Sequence, residues 1–551
     1  MLPRDRENFV GVSGLADLVL QDKTLAAAMA DARGGVVPAL ALTAPGALRP
    51  FVVKGLVDAG RTVLAVAATA REAEDLVTAL GGLMNPSEVA YYPAWETLPH
   101  ERLSPRSDTV GRRLAVLRRL RHPGSDASNG PVKVVVAPVR SVLQPQVRGL
   151  ADLEPVELSV GDEVELDDVV RRLAAAAYSR VDLVERRGEF AVRGGIIDVF
   201  PPTEEHPLRV EFWGDEVEEI RSFAVADQRT LEPVSRLWAP PCRELLLTDE
   251  VRARAKELGE THPQLAEIAE KLADGHAVEG MESLSPVLVD EMEMLVDLLP
   301  ESTHVLVLDP ERARSRAHDL VATSEEFLEA SWAAAAGGGA APIDLGKASY
   351  HSLADVRAMS LAQGKAWWSV SPFGLDPDAA PTGPLRDELG EVVSSGVDVE
   401  VGAVESRLLP FQTVEAYRGD MERAVTDMRA WLGNDSRVVL LHEGHGPAQR
   451  LVEVLKEHDV PVRLVESLDG EPEKGLVHVT TATLEHGFTD AGLCLAVLTG
   501  DDLTGQRAST KDMRRMPTRR KKQIDPLELK AGDYVVHEQH GVGRYLEMRQ
   551  R

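Results

Sequence analysis

A loop near the N-terminus has the position of a phosphate-binding loop but lacks its residues. The stretch TAPGALRP, residues 43–50, lies between an apolar run and a helical stretch. A phosphate cradle of the GxxxxGK[ST] type needs two glycines, free backbone N–H groups and a lysine that neutralises the terminal phosphates. Of such a loop, Thr43, Gly46 and Arg49 remain here, and two prolines remove N–H donors. The residues predict a degenerate phosphate loop that holds no cofactor.

Two further stretches contain residue types that bind metal ions, but neither completes the pattern of a metal site. HVLVLDPER ends like a strand that presents a magnesium-binding acid, Asp309, but Pro310 stands where a partner acid would follow. LLHEGHG brings together His442, Glu443 and His445. A zinc-binding helix places its histidines four residues apart on one face, whereas these two are three apart beside glycines. We predict an ordinary Asp-Pro strand end, a loop, and no metal site.

An arginine cluster in an acidic chain is the sharpest local signal. Arg180, Arg186, Arg187 and Arg193 lie within fourteen residues of one another, beside Phe190. In the run GEFAVRGG, strand alternation places Phe190 and Arg193 on opposite faces. The cluster is either the solvated face of a sheet or a protein-docking patch, because arginine beside an aromatic residue is typical of interface anchors.

A second basic run, KDMRRMPTRRKKQ, has little apolar content. Its residues Arg519, Arg520, Lys521 and Lys522 are candidate contacts to DNA phosphates. An exposed linker explains the same composition, and the composition favours the linker.

Composition limits the classes of protein. Among 551 residues, 27% are charged and 44% are apolar, which is typical of a globular chain of several domains. The net charge of −28 argues against a broad nucleic-acid-binding surface. Two cysteines far apart exclude a disulfide framework, and no apolar run approaches the length of a membrane span. We expect a cytoplasmic protein.

The elements that position these residues predict a multidomain α/β fold. Valine-rich runs such as TVLAVAAT and VKVVVAPV alternate with amphipathic helices, as in a buried parallel sheet. From Val156 the pattern changes to alternating strands with turn glycines, which predicts a small inserted α+β domain. A second α/β unit follows a flexible AAAAGGGAAP stretch, and a β pattern opens near the end of the chain.

Several motifs together resemble one family. YYPAWETLPHERLSPRSDTVGRRLAVLRRL, YSRVDLVERRGEFAVRGGIIDVFPP and LRVEFWGDEVEEIRSFAVADQRTLEP resemble the bacterial transcription-repair coupling factors, and are similar, less closely, to the repair helicase subunit UvrB. LKAGDYVVHEQHGVGRYLEM resembles the opening of their RNA-polymerase-interacting domain. The resemblance implies a degenerate RecA/helicase-like α/β domain with an inserted α+β domain, a second α/β domain and the start of a small β-barrel.

The resemblance also implies where each domain lies. The expected parts are a UvrB-like α/β domain at 1–145, an inserted UvrA-docking domain at 146–240, a mostly helical return of the first domain at 241–340, a linker at 341–364, a family-specific α/β domain at 365–505, a basic tether at 506–525 and an incomplete polymerase-interacting barrel at 526–551. We expect the chain to end inside that barrel, before the ATP-driven motor of the family.

The roles that the resemblance implies are those of an adaptor. UvrA docking maps onto Arg180, Arg187, Phe190 and Arg193, although Ala191 stands where UvrB often has a further arginine. The expected partners are UvrA, the RNA polymerase β subunit, a C-terminal regulatory domain of the same protein and, for the whole protein, double-stranded DNA. ATP and magnesium would belong to the motor. Strand clamping is not expected, because only Trp95 adds to the paired tyrosines that precede it.

Three functions follow from these signals. The first is an adaptor without catalysis that recruits UvrA to stalled polymerase. The second is a cryptic ATPase or UvrB-like helicase module. The third is a DNA-binding module that acts through the basic tether.

Overall fold

The structure is a computed structural model that describes residues 11–98, 103–124, 130–336, 350–373, 404–505, 534–537 and 541–544. The chain divides into two compact units, one up to Thr504 and one from Gly505 onward. In the described residues, the second unit consists of one antiparallel hairpin.

The described residues form the following helices: α1 Ser13–Val19, α2 Lys23–Gly34, α3 Arg49–Asp58, α4 Ala70–Leu80, α5 Ser107–Arg121, α6 Val139–Leu143, α7 Leu166–Ala175, α8 Asp249–Thr261, α9 Ala266–Ala273, α10 Ser285–Leu288, α11 Pro310–Ala336, α12 Leu353–Ala362, α13 Met421–Gly433, α14 His445–Glu457 and α15 Gly500–Thr504. Short 3₁₀ turns lie at Gly46–Leu48, Pro86–Glu88, Leu150–Asp152, Pro263–Leu265, Met281–Leu284 and Leu295–Leu298.

The strands of the described residues are β1 Ala39–Thr43, β2 Thr62–Ala67, β3 Val89–Tyr91, β4 Val134–Pro138, β5 Gln146–Val147, β6 Val156–Ser159, β7 Ser179–Arg180, β8 Glu189–Arg193, β9 Ile196–Val199, β10 Leu208–Trp213, β11 Glu216–Phe223, β12 Thr230–Pro233, β13 Arg236–Ala239, β14 Met292–Glu293, β15 Thr303–Leu308, β16 Ala366–Ser371, β17 Glu405–Leu408, β18 Gln412–Thr413, β19 Arg437–His442, β20 Val462–Leu464, β21 Val477–Thr481, β22 Phe488–Asp490, β23 Leu495–Thr499, β24 Tyr534–His537 and β25 Gly541–Arg544.

A seven-stranded parallel sheet organises the first unit, in the order β17-β1-β16-β15-β2-β4-β3. Its central strands are apolar throughout: β4 reads VVVAP and β15 reads THVLVL, and both are fully buried. Both faces of the sheet are covered, since the core on one face includes side chains of α1–α4 and the core on the other includes side chains of α5, α6 and α11. Burial on both faces explains why these strands lack alternation.

A six-stranded mixed sheet, in the order β18-β22-β23-β19-β21-β20, follows later in the same unit. Side chains of β19, β22 and β23 share one hydrophobic core with α3 and with the parallel sheet. Phe488 of β22 makes edge-to-face contacts with Phe51 of α3 and with Phe411, at centroid distances of 5.5 and 5.6 Å. The mixed sheet is therefore packed on the helix that follows the TAPGALRP loop.

A second six-stranded sheet, which we call the inserted sheet, has the order β12-β11-β10-β9-β8-β7. It is antiparallel except for the β7–β8 pair. Strand β10, LRVEFW, buries every second residue, as a strand with one face on a core and one facing out should. Helix α7 and the β6–β13 pair complete the core of this part.

The structure corrects two of the predicted boundaries. Strand β16, which falls in the predicted family-specific domain at 365–505, pairs between β1 and β15 inside the parallel sheet, and β17 is an edge strand of the same sheet. The predicted linker at 341–364 contains helix α12, which contributes to the second core of that sheet. Parallel strands pair across long connections, so local alternation does not reveal which sheet a strand joins.

At the level of fold class, the chain is a multidomain mixed α/β protein, as predicted. Most of the predicted barrel start and the whole basic tether lie outside the described residues. Among the helices of the described residues, none combines the length and the apolar composition that crossing a membrane requires.

Candidate functional site

The TAPGALRP loop forms a tight connection from β1 to α3. Thr43 is the last residue of β1, paired with Ser371 on one side and Leu408 on the other. Gly46 opens a 3₁₀ turn, and α3 begins directly at Arg49. A side chain at Gly46 would lie 3.0 Å from a carboxylate oxygen of Glu485, a residue that precedes β22. The space over the loop is thus already taken by the chain itself.

Arg49 is the centre of an ion-pair network at this place. Its guanidinium lies 2.5 Å from the carboxylate of Asp309 and 3.3 Å from that of Glu485. Arg312 adds contacts of 3.8 Å to Asp309 and 2.5 Å to Glu72. The structure therefore joins the one cation of the degenerate loop to the acid at the end of β15, two residues that the sequence analysis treated separately. Both charges are compensated within the chain.

The histidines at 442 and 445 lie on two different elements. His442 ends β19, and His445 begins α14. Burial lowers the pKa of His442, which favours its neutral ring. In the part of the chain that the structure describes, no group of three metal-ligating side chains converges.

Arg180 and Arg193 come together at the edge of the inserted sheet. Both are exposed, and both line a surface cavity of about 500 Å³ together with Val181, Asp182 and Val192. Arg193 donates a hydrogen bond to the backbone carbonyl of Asp182. Among the described residues, neither arginine forms an ion pair with a carboxylate. The cavity therefore presents two guanidinium groups that form no ion pair, beside Asp182, in a chain of strongly negative charge.

Phe190, which the resemblance assigned to the docking residues beside the arginines, is a core residue. Its side chain is 1% exposed and packs in the core of the inserted sheet. Strand alternation gives the reason, because Phe190 shares the inward face of β8 while Arg193 shares the outward one. Phe190 therefore supports the inserted sheet from inside and does not line the cavity.

Arg187 also lies away from the cavity. Its side chain donates to the backbone carbonyl of Glu204 at 2.9 Å and lies 5.0 Å from the ring centre of Phe200. Its own carbonyl accepts a hydrogen bond from Ser107 of α5. Arg187 thus fastens the inserted sheet to the α/β part of the unit.

A buried polar network, which no local sequence pattern indicates, connects α5 to the segment that follows the inserted sheet. Arg113 of α5 and Glu244 are 0% and 2% exposed, and Nε of the first lies 2.5 Å from Oε1 of the second. Trp95 donates to Glu244 at 3.0 Å, and the Arg113 guanidinium lies 4.4 Å from the Tyr92 ring centre. These two aromatics are therefore internal and unavailable for stacking on bases. Arg113 and Glu244 are 131 positions apart, so no local pattern in the sequence indicates that they form a pair.

Arg519, Arg520, Lys521 and Lys522, the predicted phosphate contacts, lie outside the described residues.

Comparison with known proteins finds matches over the inserted sheet and at the end of the chain. Residues 156–244, which contain the inserted sheet and its arginine-lined cavity, match the family model described as "UvrB interaction domain". Residues 529–551 match the model described as "CarD-like/TRCF RID domain". A transcription-repair-coupling factor of Mycobacterium tuberculosis is 44% identical over 98% of this chain and 43% of its own length.

The chain is homologous to the N-terminal portion of the transcription-repair-coupling factors. Two more distant relatives carry the same name. One from Myxococcus xanthus is 31% identical over 91% of this chain and 42% of its own length. One from Escherichia coli is 27% identical over 82% of this chain and 37% of its own length. The chain therefore spans about two-fifths of the length of these transcription-repair-coupling factors.

Proposed function

We propose that this chain is a recruiting adaptor in transcription-coupled DNA repair, and that it docks the repair protein UvrA through Arg180 and Arg193. The observation that supports this most directly is the convergence of the two arginines on one cavity, without a carboxylate partner among the described residues, inside the segment similar to a UvrB interaction domain. UvrA docking at this position is what the family resemblance implies.

The energetics of the cavity favour a protein partner. An arginine that already forms an internal ion pair gains little from a second carboxylate. Arg180 forms no such pair among the described residues, and Arg193 uses one N–H on the carbonyl of Asp182, so most of their donors can make charge-assisted hydrogen bonds to a partner. The mutual repulsion of two nearby guanidinium groups is also relieved when a partner supplies carboxylates. Arg187 and Phe190 would contribute indirectly, since both hold β8 in place.

For the other partners the support is coarser. Residues 529–551 are similar to a polymerase-interacting module, so we assign the RNA polymerase β subunit to that segment. We place the ATP- and magnesium-dependent translocation on double-stranded DNA, and regulation by a C-terminal domain, in the part of the relatives that this chain does not match. A cytoplasmic location follows from the same role.

The enzymatic alternative has less support. In a working nucleotide site, the cation of the loop and the acid of the neighbouring strand face the phosphates and the metal ion. Here Arg49 and Asp309 are bonded to each other, and Glu485 lies over Gly46. We therefore propose that this part of the protein performs no catalysis.

The test is binding of the whole chain to UvrA. We expect saturable binding to immobilised UvrA, and its loss in the double variant Arg180→Glu/Arg193→Glu. Arg229→Glu is the matched control, because this arginine is highly exposed but precedes β12 at the opposite edge of the inserted sheet. A double variant that binds like the unaltered chain would refute the proposal. In a parallel measurement, we expect weak or no binding to RNA polymerase.

A further inference from the structure

Trp213 is the most exposed large apolar side chain among the described residues, at 77%. It ends β10 at the tip of the β10–β11 hairpin, where Gly214 takes a left-handed backbone with φ of 65°. The inward residues of β10 are Leu208, Val210 and Phe212, so alternation directs Trp213 to the outward face. Leaving an indole in water forgoes about 2 kcal/mol or more of burial free energy, so an exposed tryptophan indicates a contact surface.

The strand register places Trp213 on the same face as Arg193. Arg193 pairs with Ile196, and Ile196 pairs with Glu211, so these residues form one row across β8, β9 and β10. Trp213 lies two residues beyond Glu211 on the same strand. Two strand spacings and two residues of rise separate the Cα atoms of Arg193 and Trp213 by roughly 12 Å. The turn at Gly195 is adjacent to this end of β10, since its carbonyl accepts from the N–H of Phe212.

The charges on the rest of this face are largely matched within the chain. Arg209 forms an ion pair with Asp198 at 2.7 Å, and Arg221 forms one with Glu211. Apart from the exposed carboxylates of the β10–β11 hairpin, the groups left for a partner are therefore Arg193, Arg180 at the adjoining edge of the sheet, and the indole.

We propose that Trp213 is an aromatic anchor of the same docking surface as Arg180 and Arg193; this inference rests on the proposed function. A separation of roughly 12 Å fits within one standard interface, which buries about 800 Å² on each partner. Tryptophan and arginine are the side chains that most often dominate binding energy at such interfaces.

The surroundings of Trp213 define the chemistry of its partner. Asp215, Glu216 and Glu218 are exposed on the same hairpin. A nucleic acid stacked on the indole would bring its phosphates against these carboxylates, so a protein partner is favoured. The partner should offer carboxylates to the arginines and, roughly 12 Å away, an apolar pocket with basic residues at its rim.

The test compares Trp213→Ala with the unaltered chain in the UvrA binding measurement. We expect affinity to fall at least tenfold, and Trp213→Phe to restore part of it. Leu231→Ala is the matched control, because Leu231 is also exposed, at 49%, but lies on β12 at the far edge of the sheet. Circular dichroism melting should show that neither exposed substitution changes folding.

The outcomes separate this inference from the proposed function. If Arg180→Glu/Arg193→Glu abolishes binding while Trp213→Ala binds normally, the role of Trp213 is refuted and the adaptor function stands. If the unaltered chain does not bind UvrA, both are refuted. If Trp213→Ala weakens binding to single-stranded DNA but not to UvrA, the indole serves a nucleic acid and the inference is wrong.

Discussion

The ion pair between Arg49 and Asp309 allows a direct test of whether the degenerate loop is structural. The informative substitutions are Arg49→Met, which keeps the apolar stem, and Asp309→Asn, which keeps the side-chain shape. Asparagine also tolerates the left-handed backbone at this position, where φ is 48°. A structural role predicts that each variant loses stability and that neither changes nucleotide affinity.

The expected loss of stability follows from the burial of the ion pair between Arg49 and Asp309. The side chains of Arg49 and Asp309 are 14% and 11% exposed, so removing one of them leaves the charge of the other nearly buried and without this partner. A fully buried broken pair costs about 3–5 kcal/mol. Each partner here keeps a second ion pair, Arg49 with Glu485 and Asp309 with Arg312, so we expect about 2–3 kcal/mol for each single variant. Glu485→Ala should cost about 0.2–1 kcal/mol, because its carboxylate is 42% exposed.

The double variant should cost less than the sum of the single ones, with a coupling of about 1–3 kcal/mol. Hydrogen exchange of the amides of β1, β15 and β16 is the suitable assay, because a chain with several cores need not unfold in two states. Titration with a fluorescent ATP analogue should show no saturable binding by any variant. Additive stability losses, or micromolar nucleotide binding that disappears in Arg49→Met, would refute the reasoning.

Two further predictions concern the core. Burial first, and then the positive charge of Arg61, lower the pKa of His304 to about 4 from its ordinary 6.5. Between pH 6.5 and 4, His304 therefore binds a proton in the unfolded chain but not in the folded chain. The free energy of unfolding should fall as pH drops through this range. His304→Phe should reduce the loss of stability between pH 7 and 4.5 by about 2–3 kcal/mol, measured by hydrogen exchange of the β15 amides, and an unchanged pH dependence would contradict this. Gly111→Ala in α5 should loosen the inserted sheet, because the new Cβ would lie 2.3 Å from Cβ of Pro202. We expect a loss of about 1–3 kcal/mol, measured as faster hydrogen exchange at this contact, whereas Gly433→Ala in open space at the end of α13 should not destabilise the protein.

Several features were predictable from local sequence because their causes are local. Valine-rich runs such as VKVVVAPV predicted buried parallel strands, and the alternation in LRVEFW predicted a sheet with one solvated face. The failure of TAPGALRP as a phosphate loop also follows from its own residues, since prolines and a single glycine remove the N–H cradle whatever the chain does elsewhere.

Tertiary structure decided which of these pieces meet. Alternation predicts that Phe190 and Arg193 lie on opposite faces, but only the packing shows that the face of Phe190 is the buried one. Strand β16 pairs with β1 in the parallel sheet, and Glu485 lies next to Gly46, through contacts that span hundreds of residues. The sequence alone therefore determined the elements, the charge and the missing loop chemistry. The ion pair between Arg49 and Asp309 and the buried pair of Arg113 with Glu244 depend on long-range packing, which no local pattern encodes.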